Sequence, residues 1–110
     1  MEYFFKEGCW IRELLNTETD PTVSVARVRV EAEISTEWHS LTGITERYLI
    51  MEGQGKAEVG TEVPVHVIAG DRITIPPGVR QRITNTGKVD LIFLAVCTPR
   101  FTEDQYREEC

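Results

Sequence analysis

The stretch Gly70–Asn85 reads GDRITIPPGVRQRITN, and an earlier stretch, His39–Gly53, reads HSLTGITERYLIMEG. Both contain short apolar runs that end at glycine or proline, a pattern typical of strands joined by tight turns. Pro76-Pro77-Gly78 fixes the backbone at two prolines and frees it at the glycine, so we expect a sharp corner between two strands. These two stretches therefore predict β-structure.

The same pattern of short apolar runs continues along the chain in both directions. Turn residues separate the runs, and no internal repeat or linker interrupts them. Strands are predicted at residues 10–15, 23–34, 46–51, 56–59, 63–68, 72–75, 81–85 and 91–97. This spacing indicates an all-β sandwich or barrel. Only Thr102-Glu103-Asp104-Gln105 matches a helix-capping box, which predicts a short C-terminal helix ending near Glu109.

Composition and charge limit the classes of partner. The chain has 110 residues, of which 41% are hydrophobic and 27% charged, and its net charge is −6. One domain of this size can bury a core without disulfides. Positive charges are scattered, so we expect no nucleic-acid partner. No apolar run is long enough for a membrane helix. The N-terminal residues lack the pattern of a secretory signal, so we expect a cytoplasmic protein without a membrane partner.

Three cysteines, Cys9, Cys97 and Cys110, are too few and too widely spaced for a disulfide framework or a zinc site. We expect Cys97 to be a small buried residue of a strand and Cys9 to pack beside Trp10. His66, between two valines, is expected at the surface.

The spacing of the two stretches resembles the two sequence motifs of the cupin superfamily. Those motifs read Gly-x5-His-x-His-x3-4-Glu-x6-Gly and Gly-x5-Pro-x-Gly-x2-His-x3-Asn. Three family positions are changed here: Glu33 replaces the opening glycine, and Leu41 and Gln81 replace the second and third histidines. The resemblance implies a double-stranded β-helix, also called a jelly-roll barrel, with the short C-terminal helix as an addition.

The resemblance also implies an assembly. Residues 1–110 would form one barrel domain, with an N-terminal strand segment at 1–20 and a C-terminal tail at 101–110. Small cupins commonly exchange N-terminal strands, and the pairs Phe4-Phe5, Trp10-Ile11 and Leu14-Leu15 make this segment more apolar than one small barrel is expected to bury alone. We therefore expect a homodimer in which the segment adds to the partner's sheet.

The family's ligand positions place His39, Glu46 and Gln81 at one site. One imidazole and two oxygen ligands suit Mn, Fe or Ni, and Zn is a further candidate. In the alternative, the site is metal-free, and Glu46 pairs instead with an arginine such as Arg27, Arg29, Arg47 or Arg82. Both alternatives remain open from the sequence, because the ligand set is half replaced.

Strand alternation predicts which residues share faces with this site. Tyr48 lies on the face of Glu46 and is a candidate proton donor, the one catalytic residue that we assign. The cavity wall is expected to include Leu41, Ile50, Ile83 and Glu37.

Two candidate functions follow from this site. The first is a divalent-metal-dependent enzyme acting on a small oxygen-rich molecule. The second is a non-catalytic barrel that binds a small molecule or sugar. The fold by itself favours neither.

Overall fold

The computed structural model describes residues 1–109, and these form two β-sheets packed face to face. The strands are β1 (Tyr3–Phe5), β2 (Cys9–Leu15), β3 (Ser24–Val30), β4 (His39–Leu41), β5 (Thr45–Glu52), β6 (Gln54–Val59), β7 (Val65–Ile68), β8 (Arg72–Ile75), β9 (Gln81–Asn85), β10 (Leu91–Thr98) and β11 (Tyr106–Glu108). The all-β jelly-roll prediction is therefore confirmed, and the strands predicted at 72–75 and 81–85 have the bounds observed.

The two sheets have the crossed strand order of a jelly roll. One sheet has six strands in the order β1-β2-β3-β10-β5-β8, and the other has five in the order β11-β4-β9-β6-β7. Successive strands β4 and β5 lie in different sheets, so the chain crosses between layers there. The core fills the space between the layers, with Val30, Ile83, Leu91 and Phe93 almost completely buried.

The C-terminal helix prediction was wrong. Glu103–Gln105 forms only a single 3-10 turn, and the chain then continues as the strand β11. The capping box does not form, because the Thr102 hydroxyl donates to the side chains of Asp104 and Gln105 and caps no backbone N–H. Tyr106 pairs with Leu41 on β4, and this tertiary pairing outweighs the local helical signal.

The N-terminal segment joins the six-stranded sheet of its own chain. β2 pairs with β3, and β1 pairs with β2 at the sheet edge, where Phe4 is 57% exposed. Exchange of this segment with a second copy stays a prediction. Within residues 1–109, no helix has the length and hydropathy of a membrane span.

Glu33 stands where the family motif has glycine, and its backbone keeps the left-handed conformation that glycine favours. Glu33 has a φ of 66°, the one non-glycine residue among residues 1–109 with a positive φ. A left-handed backbone is costly for a residue with a Cβ, which explains why glycine suits this position.

Candidate functional site

The candidate site lies between the two sheets, where residues from both face the same space. His39 on β4 is the strand partner of Gln81 on β9, both in the five-stranded sheet. Glu46 on β5 is the strand partner of Cys97 on β10, both in the six-stranded sheet. Strand pairing within each sheet and packing between sheets therefore bring these four side chains together.

A chain of hydrogen bonds joins the two sheets at this point. The Tyr48 hydroxyl donates to Oε1 of Gln81 at 2.5 Å, and Nε2 of Gln81 donates to Oε1 of Glu46 at 2.8 Å. The Cys97 thiol approaches the other Glu46 oxygen at 3.8 Å. All four residues are buried, so these contacts replace the hydrogen bonds that water would make to their polar atoms.

His39 carries its proton on a defined nitrogen. Its Nδ1 lies 2.7 Å from the backbone carbonyl of Glu37, which can only accept, so Nδ1 is the N–H donor. Nε2 then has a free lone pair in the neutral ring, and it lies 3.4 Å from Oε2 of Glu7. The Tyr106 ring stacks on the imidazole with a centroid distance of 5.2 Å and an interplanar angle of 11°. These contacts fix the plane and the tautomer of His39.

Burial favours the neutral forms of Glu7, Glu46 and His39. Burial raises the pKa of Glu7 to about 8, although a hydrogen bond from Cys9 opposes the change. Burial also raises the pKa of Glu46 to about 7, with the negative charge of Glu7 as the next cause. The pKa of His39 is lowered, again chiefly by burial. The two carboxyl groups therefore titrate close to neutral pH, while the imidazole is held toward its neutral form.

These groups border one cavity. Its empty volume is about 530 Å³ with the open mouth included, and the part of it that the centre of a water molecule can reach is about 40 Å³. It is lined by Phe5, Glu7, Ile11, Glu13, Ser24, Ala26, Val28, His39, Leu41, Glu46, Tyr48, Phe93, Ala95, Cys97 and Phe101. A very small molecule, or one end of a larger molecule, fits this space.

A model of the cupin domain family matches residues 26–97, about two thirds of the chain. This chain is a cupin. An uncharacterized protein of Methanocaldococcus jannaschii is 34% identical over 104 residues, which cover 93% of this chain and 82% of that protein.

Two solved structures show how closely the cupin fold is kept. The Streptomyces nucleoside dehydratase Pac13, in a variant solved with uridine, gives a TM-score of 0.83 at 23% identity, over 100% of this chain and 84% of that one. A predicted oxalate decarboxylase of Thermotoga maritima gives 0.78 at 28% identity, over 90% of both chains.

The site residues predicted from the sequence differ in how they lie relative to the cavity. His39, Leu41, Glu46 and Tyr48 line the cavity, and Gln81 lies behind it, holding Glu46. Ile50 and Ile83 are buried in the core without lining this cavity. The Glu37 side chain is exposed, and only its backbone carbonyl reaches the site.

The arginine expectation for a metal-free site was wrong. Arg29 pairs with Glu2 and Asp90, Arg27 with Glu2, and Arg82 with Glu58. Arg47 is exposed and contacts Thr98. The partners of Glu46 are instead the Gln81 amide and the Cys97 thiol, and burial raises its pKa to about 7, so that it can lose or keep its proton near neutral pH without a cation.

The donor set does not fit a metal centre. Among residues 1–109, no group of three or more His, Cys, Asp or Glu side chains is arranged to hold a metal ion. The oxygen of Gln81, its only metal-ligating atom, is taken by the Tyr48 hydroxyl, and the amide nitrogen faces Glu46. Leu41 offers no ligand atom.

Glu7 is the site residue that sequence reasoning missed. It lies in the turn between β1 and β2, outside both motifs, and its side chain is only 13% exposed. Its backbone carbonyl accepts from the Glu37 N–H at 2.7 Å, which ties this turn to the segment that precedes His39. A single sequence carries no signal for such a contact across more than thirty residues.

Cys9 and Cys97 are buried and free, as predicted, and Cys110 lies outside the described residues. His66 is exposed, as predicted.

Proposed function

We propose that this cupin is an acid–base enzyme that works without a metal ion and acts on a small oxygen-rich molecule. One observation carries the proposal. The lone pair of His39 Nε2 faces the Glu7 carboxyl at 3.4 Å, in a cavity that Glu46 also lines. Acid–base catalysis is most effective when the pKa of each group lies near the working pH, and Glu7 and Glu46 meet that condition.

The groups have complementary roles in this proposal. Ionised Glu46 removes a proton from a carbon next to a carbonyl group. The protonated Glu7–His39 pair supplies a proton to the hydroxyl group on the neighbouring carbon. The C–H electron pair forms the new double bond, the C–O bond breaks, and water leaves. If no hydroxyl group is in position, return of the proton to a different atom gives an isomerisation. Neither reaction needs an oxidant or reductant.

Gln81 and Tyr48 support Glu46 rather than react themselves. The Tyr48 hydroxyl donates its proton to Gln81, and burial raises its pKa well above the ordinary value. We therefore assign Tyr48 as a positioning residue and not as the proton donor. Pac13, which has this fold, is by name a nucleoside dehydratase, and elimination of water is the reaction proposed here.

The test measures proton abstraction directly. Protein purified without a histidine tag, and stripped with a chelator, is incubated in heavy water with β-hydroxy aldehydes, β-hydroxy ketones and nucleosides. Proton NMR then follows deuterium uptake beside the carbonyl group and loss of water. We expect exchange or elimination in wild type, and loss of both in Glu46→Gln and His39→Gln. Glu52→Gln, an exposed carboxylate on the same strand, is the matched control.

Two results would contradict the proposal. Saturable binding without exchange or elimination would leave a non-catalytic binding barrel. Activity that appears only after a divalent metal is added would restore the metal-dependent enzyme. Metal content measured on the same preparation separates these two outcomes.

A further inference from the structure

The ionisable side chains that line the cavity carry charge of one sign. Glu7, Glu13 and Glu46 are acidic, and His39 is held toward its neutral form by burial. Of the lining residues, all of which lie within residues 1–109, none is a lysine or arginine. The remaining lining is mainly apolar, with single hydroxyl or thiol groups at Ser24, Tyr48 and Cys97.

Three cations on segments beside the cavity have partners elsewhere, and Lys6, one of them, pairs with Glu103 at 3.4 Å. Arg29 lies on β3 among strands that line the cavity, but it pairs with Glu2 at 2.8 Å and with Asp90 at 3.3 Å. Arg100 donates to Oδ1 of Asn16 at 2.8 Å, and its charge acts on Glu13. An anion in the cavity would therefore have to draw one of these cations out of its contacts.

An anionic ligand would meet two costs in this cavity. It would lose its water without gaining a counter-charge, and burial of an unpaired ion is expensive. It would also repel Glu7 and Glu46 whenever either is ionised, since charges interact strongly in a poorly solvated space. An uncharged hydroxyl or carbonyl group meets neither cost, because the carboxyl groups and His39 can donate to it or accept from it.

We propose that this site selects an uncharged molecule bearing hydroxyl or carbonyl groups, and that it rejects carboxylates and phosphates. This inference rests on the proposed function, since it names the substrate class of the same site. An ammonium ligand is disfavoured too, because the wall around the carboxyl groups is mainly apolar and cannot replace the water that the ion would lose. The small interior limits entry to one end of a larger molecule.

The test compares ligands of matched size and different charge. Glycolamide and glycolate share a carbon skeleton and differ only in an amide against a carboxylate, and ethanolamine supplies the ammonium case. Each is titrated into the full chain at neutral pH, and binding is followed through the backbone amide resonances of Leu41 and Ala95, both lining residues. We expect saturable shifts with glycolamide, and glycolate and ethanolamine binding at least about tenfold more weakly.

A charge-reversal variant tests the cause. Glu13 is exposed and lines the cavity, so Glu13→Lys places a cation there with little risk to the fold. We expect glycolate binding to strengthen several-fold while glycolamide binding changes little. Glu62→Lys makes the same change of net charge at an exposed residue that does not line this cavity, and it should leave both affinities unchanged.

The outcomes separate this inference from the proposed function. Glycolate or ethanolamine binding as tightly as glycolamide overturns the charge selection and leaves acid–base catalysis standing, because deuterium exchange reports on catalysis independently. An equal gain in glycolate binding from Glu62→Lys shows an effect of net charge and also overturns the inference. If none of the three compounds shifts the lining resonances, the inferred ligand selection falls, and deuterium exchange decides separately whether the proposed function stands.

Discussion

The side-chain amide of Gln81 donates to Oε1 of Glu46 across 2.8 Å and thereby joins the two sheets of the barrel. In the family motif a histidine stands at the position of Gln81. Here a hydrogen bond orients the carboxyl group that a metal ion would otherwise hold. The second changed position, Leu41, lies in the same cavity and adds apolar surface.

The two replaced histidine positions, Leu41 and Gln81, predict how metal binding can be restored. We expect the double substitution Leu41→His with Gln81→His to bind Mn, Ni or Zn at least about tenfold more tightly than wild type, since two imidazoles join His39 and Glu46. Calorimetric titration measures the affinity, and circular dichroism confirms the fold. Adding Glu46→Gln to the double variant should reverse the gain. Tight, stoichiometric binding by wild type would contradict our description of the donor set.

The buried Glu46 carboxyl predicts a stability that depends on pH. Its pKa is raised from 4.5 to about 7, so the folded chain keeps a proton that the unfolded chain releases first. The free energy of unfolding therefore falls as pH rises between these two values and then levels off. Glu46→Gln can still accept from Gln81 and removes this dependence. The free energy of unfolding of Glu46→Gln, taken relative to that of wild type, should therefore rise by on the order of 2 kcal/mol from about pH 5 to about pH 8.

Urea denaturation of both proteins across this range measures the difference. His39 contributes with the opposite sign, since its lowered pKa makes stability rise as pH increases, but it is present in both proteins and cancels. Glu7 contributes with the same sign as Glu46, because its pKa is also raised, and it too is present in both proteins. A difference in unfolding free energy that does not change with pH would show that Glu46 is ionised throughout in the folded chain.

The Tyr48 hydroxyl predicts a cost for its removal. Tyr48→Phe leaves Oε1 of Gln81 buried without its donor, and an unsatisfied buried acceptor costs about 1–3 kcal/mol. Chemical denaturation measures this loss. Tyr3→Phe removes a hydroxyl from a residue that is 41% exposed, and should cost less than about 0.5 kcal/mol. Equal effects of the two substitutions would argue against the hydrogen-bond chain.

Glu33 predicts a stabilising substitution. Its φ of 66° is strained for any residue with a Cβ, so Glu33→Gly should raise the free energy of unfolding by about 0.5–1 kcal/mol. Glu33→Ala is the matched control, because it removes the carboxylate and keeps the strain. A gain with alanine as large as that with glycine would assign the effect to charge. Thermal denaturation distinguishes the two.

The N-terminal edge carries the homodimer prediction. β1 is the outermost strand of its sheet, and Tyr3, Phe4 and Leu14 on this segment are 41%, 57% and 50% exposed. An exposed apolar edge strand is a template for pairing with a second chain. Light scattering should give the mass of a dimer at micromolar concentration, and Phe4→Lys should shift it toward the monomer. A monomeric wild type would end this prediction.

The sequence determined the fold because the signals that specify it are local. Prolines and glycines set the turns, and alternation of apolar residues set the strand faces, so the strands at 72–75 and 81–85 were predicted with their observed ends. Alternation also placed Glu46 and Tyr48 on one face, and the resemblance to cupins implied that this face points into the barrel. The helix at the C-terminus failed because pairing of Tyr106 with Leu41 outweighed a capping signal that spans only four residues.

Tertiary structure alone decided the chemistry of the site. The contact of Glu7 with His39 and the cross-sheet bond of Gln81 to Glu46 join residues separated by more than thirty positions. The pKa values depend on burial, which arises only when the two sheets close over these side chains. Motif spacing identified three of the polar residues, His39, Glu46 and Gln81. Packing between the sheets decides which of their atoms face one another. It therefore also decides whether the site suits metal binding or proton transfer.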